Sequence, residues 1–182
     1  MKIVEVDENN FELAIEAQAK IFPKEKSPEQ VVLGLKTKNP TNYICFEDDV
    51  LVGIFGFYYD EMLPDHVLLN WYGIVPERRR LGFGRKLLLK AIEYAKMTGR
   101  KYLTVWTGKE ENRIAVELYE KVGFEIADYC CAEDVEKLKA MGDLAEYVVC
   151  VYPLTSKKDP IDFEHLNLQI SKQVSLISKF NN

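Results

Sequence analysis

The feature that most constrains this chain is a predicted strand that stops, turns through basic residues and opens a helix with two glycines. The strand Val67–Val75 is apolar and ends at Pro76, and the helical pattern starts at Gly82-Phe83-Gly84. Unpaired N–H groups and the helix dipole attract anions to a helix start, and glycines let the backbone approach them closely. With Arg78-Arg79-Arg80 in the turn, the segment predicts a phosphate-binding loop.

Two better-known phosphate loops do not fit this segment. A Walker loop ends in Gly-Lys-Ser/Thr, whereas this chain has Arg85-Lys86-Leu87. A dinucleotide fingerprint needs a third glycine at the position of Leu87 and follows an early strand. Judged by its glycines alone, the segment is equally compatible with a basic, solvated turn before an ordinary helix.

Hydrophobic periodicity around the loop predicts the order β-α-α-β-β-β-α-β-α-β-α-β. This order predicts an α/β fold, with a mixed, mostly antiparallel central sheet of about seven strands and helices on both faces. We assign residues 1–153 to this domain and 154–182 to a linker and a C-terminal helix. The predicted strands are Lys2–Val6, Tyr43–Phe46, Val50–Tyr59, Val67–Val75, Tyr102–Trp106, Phe124–Cys131 and Tyr147–Tyr152; the predicted helices are Phe11–Ile21 (capped by Asn10), one from Ser27, Gly82–Met97, Asn112–Val122, Glu133–Met141 and Ile161–Phe180.

Composition excludes several classes of function. The net charge of −5 argues against a nucleic-acid partner, and no apolar run is long enough to span a membrane. With no secretory signal at the N-terminus, we expect a cytoplasmic protein without a membrane partner. The four cysteines, Cys45, Cys130, Cys131 and Cys150, lack the spacing of a metal site, so we expect idle thiols and no bound metal.

Two motifs together resemble one family. Arg79-x-x-Gly82-x-Gly84 follows a strand that ends Ile74-Val75-Pro76, and Asn112-x-x-Ala115-x-x-Leu118-Tyr119-x-x-x-Gly123-Phe124 lies one helix and one strand later. Both motifs, and their separation, resemble the GNAT family of N-acetyltransferases over roughly residues 1–153. The resemblance implies a GNAT-like fold, acetyl-CoA as cosubstrate and an amine as acceptor.

The resemblance also implies roles for the residues at matching positions. The backbone of Ile74 and Val75 would bind the pantetheine arm of the cofactor, and Asn112 would hold it from the opposite side. Tyr119 would be the catalytic general acid that protonates the leaving thiolate; from the residues alone, a packed structural tyrosine is the alternative. The other implied cofactor-binding residues are Arg79, Arg80, Leu81, Gly82, Phe83, Gly84, Arg85 and Ala115.

The sequence supports direct attack of the amine in a ternary complex, because no cysteine stands in a nucleophile-like arrangement with a histidine. A base is harder to find, since Val67–Val75 lacks the carboxylate that many family members place on this strand. The candidates are Glu61, Asp65 and His66, or a water relay involving Asn70 and Tyr72, which strict alternation places on one face.

Other interpretations stay open at this point. The missing carboxylate favours a non-catalytic acyl-CoA-binding or regulatory module of the same fold. The apolar face of the predicted C-terminal helix must be buried, either against its own domain or against a second copy of the chain. We favour the second copy, that is, a homodimer contact. Trp71 and Trp106 either line an acceptor pocket or pack against the sheet.

Overall fold

The computed structural model of the chain describes residues 1–23, 41–129, 147–155 and 160–180, the last nine of them as backbone. It confirms the predicted fold class, since the described strands form one seven-stranded sheet with accompanying helices. The predicted helices from Ser27 and over Glu133–Met141 lie outside the described residues. The strands are β1 Lys2–Glu5, β2 Thr41–Glu47, β3 Val50–Tyr58, β4 His66–Ile74, β5 Tyr102–Gly108, β6 Glu125–Asp128 and β7 Tyr147–Pro153; the helices are α1 Phe11–Ile21, α2 Phe83–Lys96, α3 Arg113–Val122 and α4 Phe163–Phe180.

The strand order in the sheet is β1-β2-β3-β4-β5-β7-β6, so the last strand in sequence is not an edge strand. By its contacts the chain divides into two compact units. The first unit comprises Met1–Asp60 and Val67–Arg100, and the second comprises Glu61–His66 and Lys101–Asn182. The predicted division into residues 1–153 and 154–182 stays a prediction.

The first unit is an antiparallel meander of strands with a helix on each face. Strands β2 and β3 form a hairpin: Glu47 pairs with Val50, and the two intervening residues, Asp48 and Asp49, have φ of 50° and 60°. Positive φ at both central residues matches the twist of the flanking strands. An apolar cluster packs α1 on one face and an aromatic cluster packs α2 on the other; the first contains Ala14, Ala17, Ile21, Ile44, Ile54 and Val75, the second Tyr43, Phe55, Phe57 and Tyr94.

Strand β4 contains a bulge that the alternation of its side chains does not reveal. Ile54 pairs with Gly73 and Gly56 pairs with Asn70, so two steps along β3 match three steps along β4. Trp71 is at the bulge and has φ of 49°. This left-handed conformation is uncommon for a bulky residue. Its indole packs against the apolar cluster between α1 and the sheet, which supports the interpretation that this tryptophan packs against the sheet.

The bulge reverses one prediction about faces. Gly73 lies on the α1 face, since a Cβ added there would meet Ile21 Cγ2 at 2.3 Å. Asn70 lies on the same face, because both residues pair with β3 residues two apart. Tyr72 lies on the opposite face, where its hydroxyl donates to the carbonyl of Gly84 in α2. The prediction that Asn70 and Tyr72 share a face is therefore wrong, because the extra residue shifts the alternation by one.

The second unit is built around β7, which pairs antiparallel with β5 on one side and with β6 on the other. Cys150 of β7 pairs with Val105 and with Ile126, and the whole run from Val148 to Val151 is buried. A strand with neighbours on both sides and no exposed face reads as a continuous apolar run, as it does here.

The C-terminal helix α4 buries part of its predicted apolar face within the chain. Leu166 and Ile170 are 1% and 3% exposed, so a second copy is not required to cover them. The side chains of Val174 and Ile177 lie outside the described residues. Among the described helices, none has the length and apolar character that a membrane crossing requires.

Two smaller predictions have different outcomes. Asn10 stands at the N-cap position of α1 but makes no capping bond; its side chain instead accepts from the Asp7 N–H and donates to the Glu5 carbonyl, which fixes the turn after β1. Cys45 and Cys150 are free and buried, and burial raises the pKa of both thiols, that of Cys150 to about 12. Thiols in this state are unreactive.

The close approach of β3 to β4 at Gly53 yields a stability prediction. A Cβ on Gly53 would lie 2.3 Å from the carbonyl oxygen of Gly73, a backbone atom that cannot rotate away. We expect Gly53→Ala to lower the free energy of unfolding by about 1–3 kcal/mol. The matched control is Gly108→Ala, because a Cβ there meets its neighbours at ordinary distances of 3.8–4.0 Å. Urea denaturation of both variants is the measurement, and equal losses would contradict the prediction.

Candidate active site

The predicted phosphate loop begins where β4 ends. The N–H of Val75 donates to the Val52 carbonyl at 3.1 Å, which keeps the chain paired to β3 for one residue beyond the strand. A single 3-10 turn, Pro76–Arg78, then reverses direction, closed by the Arg78 N–H on the Val75 carbonyl at 2.9 Å. Proline suits this position, since its fixed φ starts a helical turn and its missing N–H removes no bond.

The loop enters α2 through two residues in left-handed conformation. Arg80 has φ of 62°, and Gly82, the N-cap residue of α2, has φ of 81°. No side chain caps this helix start, and the first helical bond is donated by the Lys86 N–H to the Gly82 carbonyl at 3.2 Å. The N–H groups of residues 83–85 therefore have no acceptor within the helix and point along its axis.

The space beside Gly82 is open. Among the described residues, a Cβ added to Gly82 would meet nothing within 4 Å. Leu81 is 61% exposed, and the side chains of Arg80 and Arg85 are exposed as well. Outward amide donors, a cradle without a Cβ and two nearby guanidinium groups are the chemistry that a diphosphate requires.

The side chain of Arg79 has a different use from its two neighbours. Its Nε donates to the carbonyl of Ile74 at 3.0 Å, and its Nη2 donates to the carbonyl of Ile21 at 3.2 Å. The sequence predicts a cofactor-binding role for Arg79, but the structure directs these two donors at the main chain of β4 and α1.

Tyr72 contacts the first turn of α2 from the α2 face of the sheet. Its hydroxyl donates to the carbonyl of Gly84 at 2.8 Å, and burial strongly raises the pKa of Tyr72. A phenol that is held neutral and bonded to a helix carbonyl is poorly suited to relay protons. Since Asn70 lies on the opposite face, the structure speaks against a relay that uses both residues.

The second motif lies in the second unit, on α3. Asn112 is the exposed N-cap residue, and its Nδ2 donates to the Thr107 hydroxyl at 3.0 Å, which orients its amide against the end of β5. Its carbonyl accepts from the N–H groups of Ala115 and Val116 at 2.8 and 2.9 Å. Ala115 lies one turn along the same helix and is partly buried.

Tyr119 is the buried residue of α3, with 3% of its surface exposed. Its ring centroid lies 5.2 Å from that of Phe124, and its carbonyl accepts from the N–H groups of Gly123 and Phe124 at 3.1 and 3.0 Å. Gly123 has φ of 107°, which explains the glycine at the end of this helix. The position of the tyrosine is thus fixed by packing and by the helix end.

The candidate bases lie at the beginning of β4, whereas the loop lies at its end. The Asp65 carboxylate pairs with Lys101 at 2.8 Å, and its carbonyl accepts from the N–H groups of Lys101 and Tyr102. Nδ1 of His66 lies 2.7 Å from the Thr104 hydroxyl, and its ring stacks on Tyr102. Glu61 is exposed. Asp65 and His66 are therefore part of the packing between strand ends.

Burial changes the chemistry of His66. It lowers the pKa of His66 from 6.5 to about 4, with the Asp65 carboxylate opposing this shift and His165 adding to it. The imidazole is neutral at physiological pH and is a weak base.

The predicted site residues fall into two groups. Ile74, Val75 and the loop from Arg79 to Arg85 lie together in the first unit, and Asn112, Ala115 and Tyr119 lie together on α3 in the second. Sequence reasoning missed two contacts: the bond from Asn112 to Thr107 and the bond from Arg79 to Ile21. The first joins polar residues five apart, a signal that the sequence contains; the second joins residues 58 apart, and no pattern reveals it.

Comparisons with known proteins identify the family of this chain. The family model of the GNAT acetyltransferases matches residues 9–124. An uncharacterized N-acetyltransferase of Methanocaldococcus jannaschii is 48% identical over 50 residues, which are 28% of this chain and 22% of that protein. The match thus spans about a fifth of the relative's length.

Two solved structures share the fold. The Bacillus subtilis acetyltransferase in complex with CoA has a TM-score of 0.64 and 22% identity, over 85% of this chain and 99% of that one. The yncA protein of Salmonella typhimurium, solved with its cofactor acetyl-CoA, has a TM-score of 0.63 and 15% identity, over 89% and 98% of the two chains. The family match, which covers more than half of the chain, is decisive: this protein belongs to the GNAT family of acetyltransferases.

Proposed function

We propose that this protein transfers the acetyl group of acetyl-CoA to an amine. The observation that carries the proposal is the start of α2, where the N–H groups of residues 83–85 have no helical acceptor beside the open face of Gly82. Family membership supports the same function, as does the presence of CoA or acetyl-CoA in two structures of the same fold.

The diphosphate of the cofactor is the group that fits the loop. In our proposal the amides from Arg80 to Arg85 bind it, and the exposed guanidinium groups of Arg80 and Arg85 add charge. The pantetheine arm runs along the end of β4. The Val75 N–H is bonded to Val52, so Val75 offers the arm only the carbonyl lone pair that the Arg78 N–H leaves. The Ile74 carbonyl likewise offers the lone pair that Arg79 leaves.

The reaction in this proposal is a direct transfer. The neutral amine nitrogen attacks the thioester carbonyl carbon, the C–S bond breaks, and the thiolate of CoA takes a proton from the Tyr119 hydroxyl. The nitrogen releases a proton to solvent as the amide forms, and the Tyr119 phenolate takes a proton back from solvent. Tyr119 is fixed by the end of its helix and by packing against Phe124. A fixed position suits a hydroxyl that must donate its proton to one atom, the thiolate sulfur of CoA. Asn112, oriented by Thr107, is proposed to hold the cofactor from its own side.

The amine gives its proton to solvent in this proposal. The Asp65 carboxylate is paired with Lys101, and burial makes His66 a weak base. An amine with a pKa of about 10.4 must lose its proton before attack, which costs about 4.6 kcal/mol at pH 7. Without an enzyme base, that cost falls as the pH rises.

A non-catalytic CoA-binding module is the alternative that the missing strand carboxylate favours. It predicts CoA binding without turnover. A thiol-release assay with acetyl-CoA and a panel of small amines, polyamines, amino acids and peptides separates the two functions. Release of CoA above the hydrolysis background with any amine supports the transferase and identifies its acceptor class.

The role of Tyr119 is tested by Tyr119→Phe. We expect kcat to fall by about 10²-fold or more, since the thiolate loses its proton donor, while the Kd for acetyl-CoA changes by less than about twofold. Tyr152→Phe is the matched control, because Tyr152 packs against the same Phe124 ring at 5.2 Å. Wild-type turnover in Tyr119→Phe would show that the proton-donor role is wrong.

The loop is tested by Gly82→Ala. We expect a stability loss of about 1 kcal/mol from the positive φ and a weakening of CoA binding of about tenfold or more, because the new methyl group enters the diphosphate cradle. Gly99→Ala is the control: Gly99 also has a positive φ, 72°, and open surroundings. It should lose similar stability and keep its CoA affinity in calorimetry. Equal CoA affinity in both variants would remove the loop from the site.

The pH dependence tests the absence of an enzyme base. Below the pKa of the acceptor we expect kcat/KM to rise about tenfold per pH unit, as the neutral amine becomes more abundant. His66→Asn should show the same profile from pH 5 to 9, because a histidine with a pKa of about 4 is already neutral throughout that range. An inflection that is present in the wild type and lost in His66→Asn would identify a histidine base.

A further inference from the structure

The guanidinium of Arg79 connects two main-chain ends that are far apart in sequence. Ile21 is the last residue of α1 and Ile74 is the last residue of β4, and each gives its carbonyl to one Arg79 nitrogen. The last carbonyls of a helix lack donors within the helix and carry partial negative charge. A cation that donates two hydrogen bonds satisfies both needs at once.

The residues that follow Arg79 are strained. Arg80 has φ of 62°, a conformation that a residue with a Cβ keeps only when its surroundings enforce it. The strained segment lies between two side-chain bonds to backbone: Arg79 before it, and after it the bond from Tyr72 to the Gly84 carbonyl. These two bonds connect the chain on either side of Arg80 to other backbone groups.

We propose that Arg79 is a positioning residue, whose guanidinium fastens the ends of α1 and β4 to the glycine loop and sets the loop's shape before any ligand binds. The importance of that shape rests on the proposed function, but the bonds themselves do not. Arginine suits the role because its planar fork reaches two carbonyls simultaneously, whereas a lysine ammonium is a point donor on a flexible stem. The side chain therefore acts on the cofactor through the loop and not by touching phosphate.

The primary test is hydrogen–deuterium exchange on ligand-free protein carrying Arg79→Lys. We expect the amides of residues 18–22 and 79–86 to exchange about tenfold faster than in the wild type, because both anchored ends lose a bond. Arg78→Lys, one residue earlier in the same turn, is the matched control and should exchange like the wild type. Unchanged exchange in Arg79→Lys would overturn the proposal. Since no ligand is present, this result is independent of whether the protein binds CoA.

Calorimetry and kinetics separate positioning from phosphate contact. If Arg79 positions the loop, Arg79→Lys and Arg79→Gln raise the KM for acetyl-CoA, keep kcat near wild type at saturation, and leave the salt dependence of CoA affinity unchanged. If Arg79 contacts phosphate, the Gln variant loses part of the salt dependence while the exchange of its ligand-free form stays normal. Failure of the wild type to bind CoA would contradict the proposed function and leave the exchange result standing.

A spectroscopic measurement covers the case in which both variants fail to fold. In ligand-free wild-type protein, the Nε–H resonance of Arg79 should be protected from solvent exchange and should keep its shift when CoA is added. Fast exchange of this proton without ligand, or a large shift on addition of CoA, would overturn the positioning role.

Discussion

The structure depends on one local constraint: the chain must pass from β4 into α2 while the first amides of the helix have no acceptor within the helix. Unpaired donors do not hold a backbone in place, so the neighbouring residues must do so. The bond from Val75 to Val52 fixes the strand side, and Tyr72 fixes the helix side through Gly84. The loop can therefore stay rigid although its own polar groups face outward.

Local patterns were sufficient for most of the fold. The α1 and α2 periodicities and the end of α3 at Val122 each depend on a few adjacent residues, and each is confirmed. The two motifs placed the chain in its family, because glycines and amides at fixed spacing carry their chemistry in the backbone. Most element ends lie within two residues of their predicted positions, as expected where strands and helices fray, whereas β6 ends three residues before the predicted Cys131.

The parts that the sequence did not predict depend on contacts between distant residues. The bulge at Trp71 exists because of the pairing with β3, and it moved Asn70 and Tyr72 to opposite faces. The burial that makes His66 a weak base comes with its packing onto β5, where it meets Thr104. No period or spacing in β4 contains this information, which is why the candidate bases and the relay were the weakest inferences.

These corrections change what the site can do. The proposed cofactor contacts are main-chain amides and guanidinium groups, both of which are hydrogen-bond donors. Three of the four titratable candidates have partners elsewhere: Asp65 with Lys101, His66 with Thr104, and Tyr72 with Gly84; the fourth, Glu61, is exposed. In the proposed function, catalysis comes from orientation of the two substrates, and the acceptor's own pKa sets the response to pH. For this reason the rigidity of the loop, and the side chains that maintain it, carry more of the proposed function than any single acid or base.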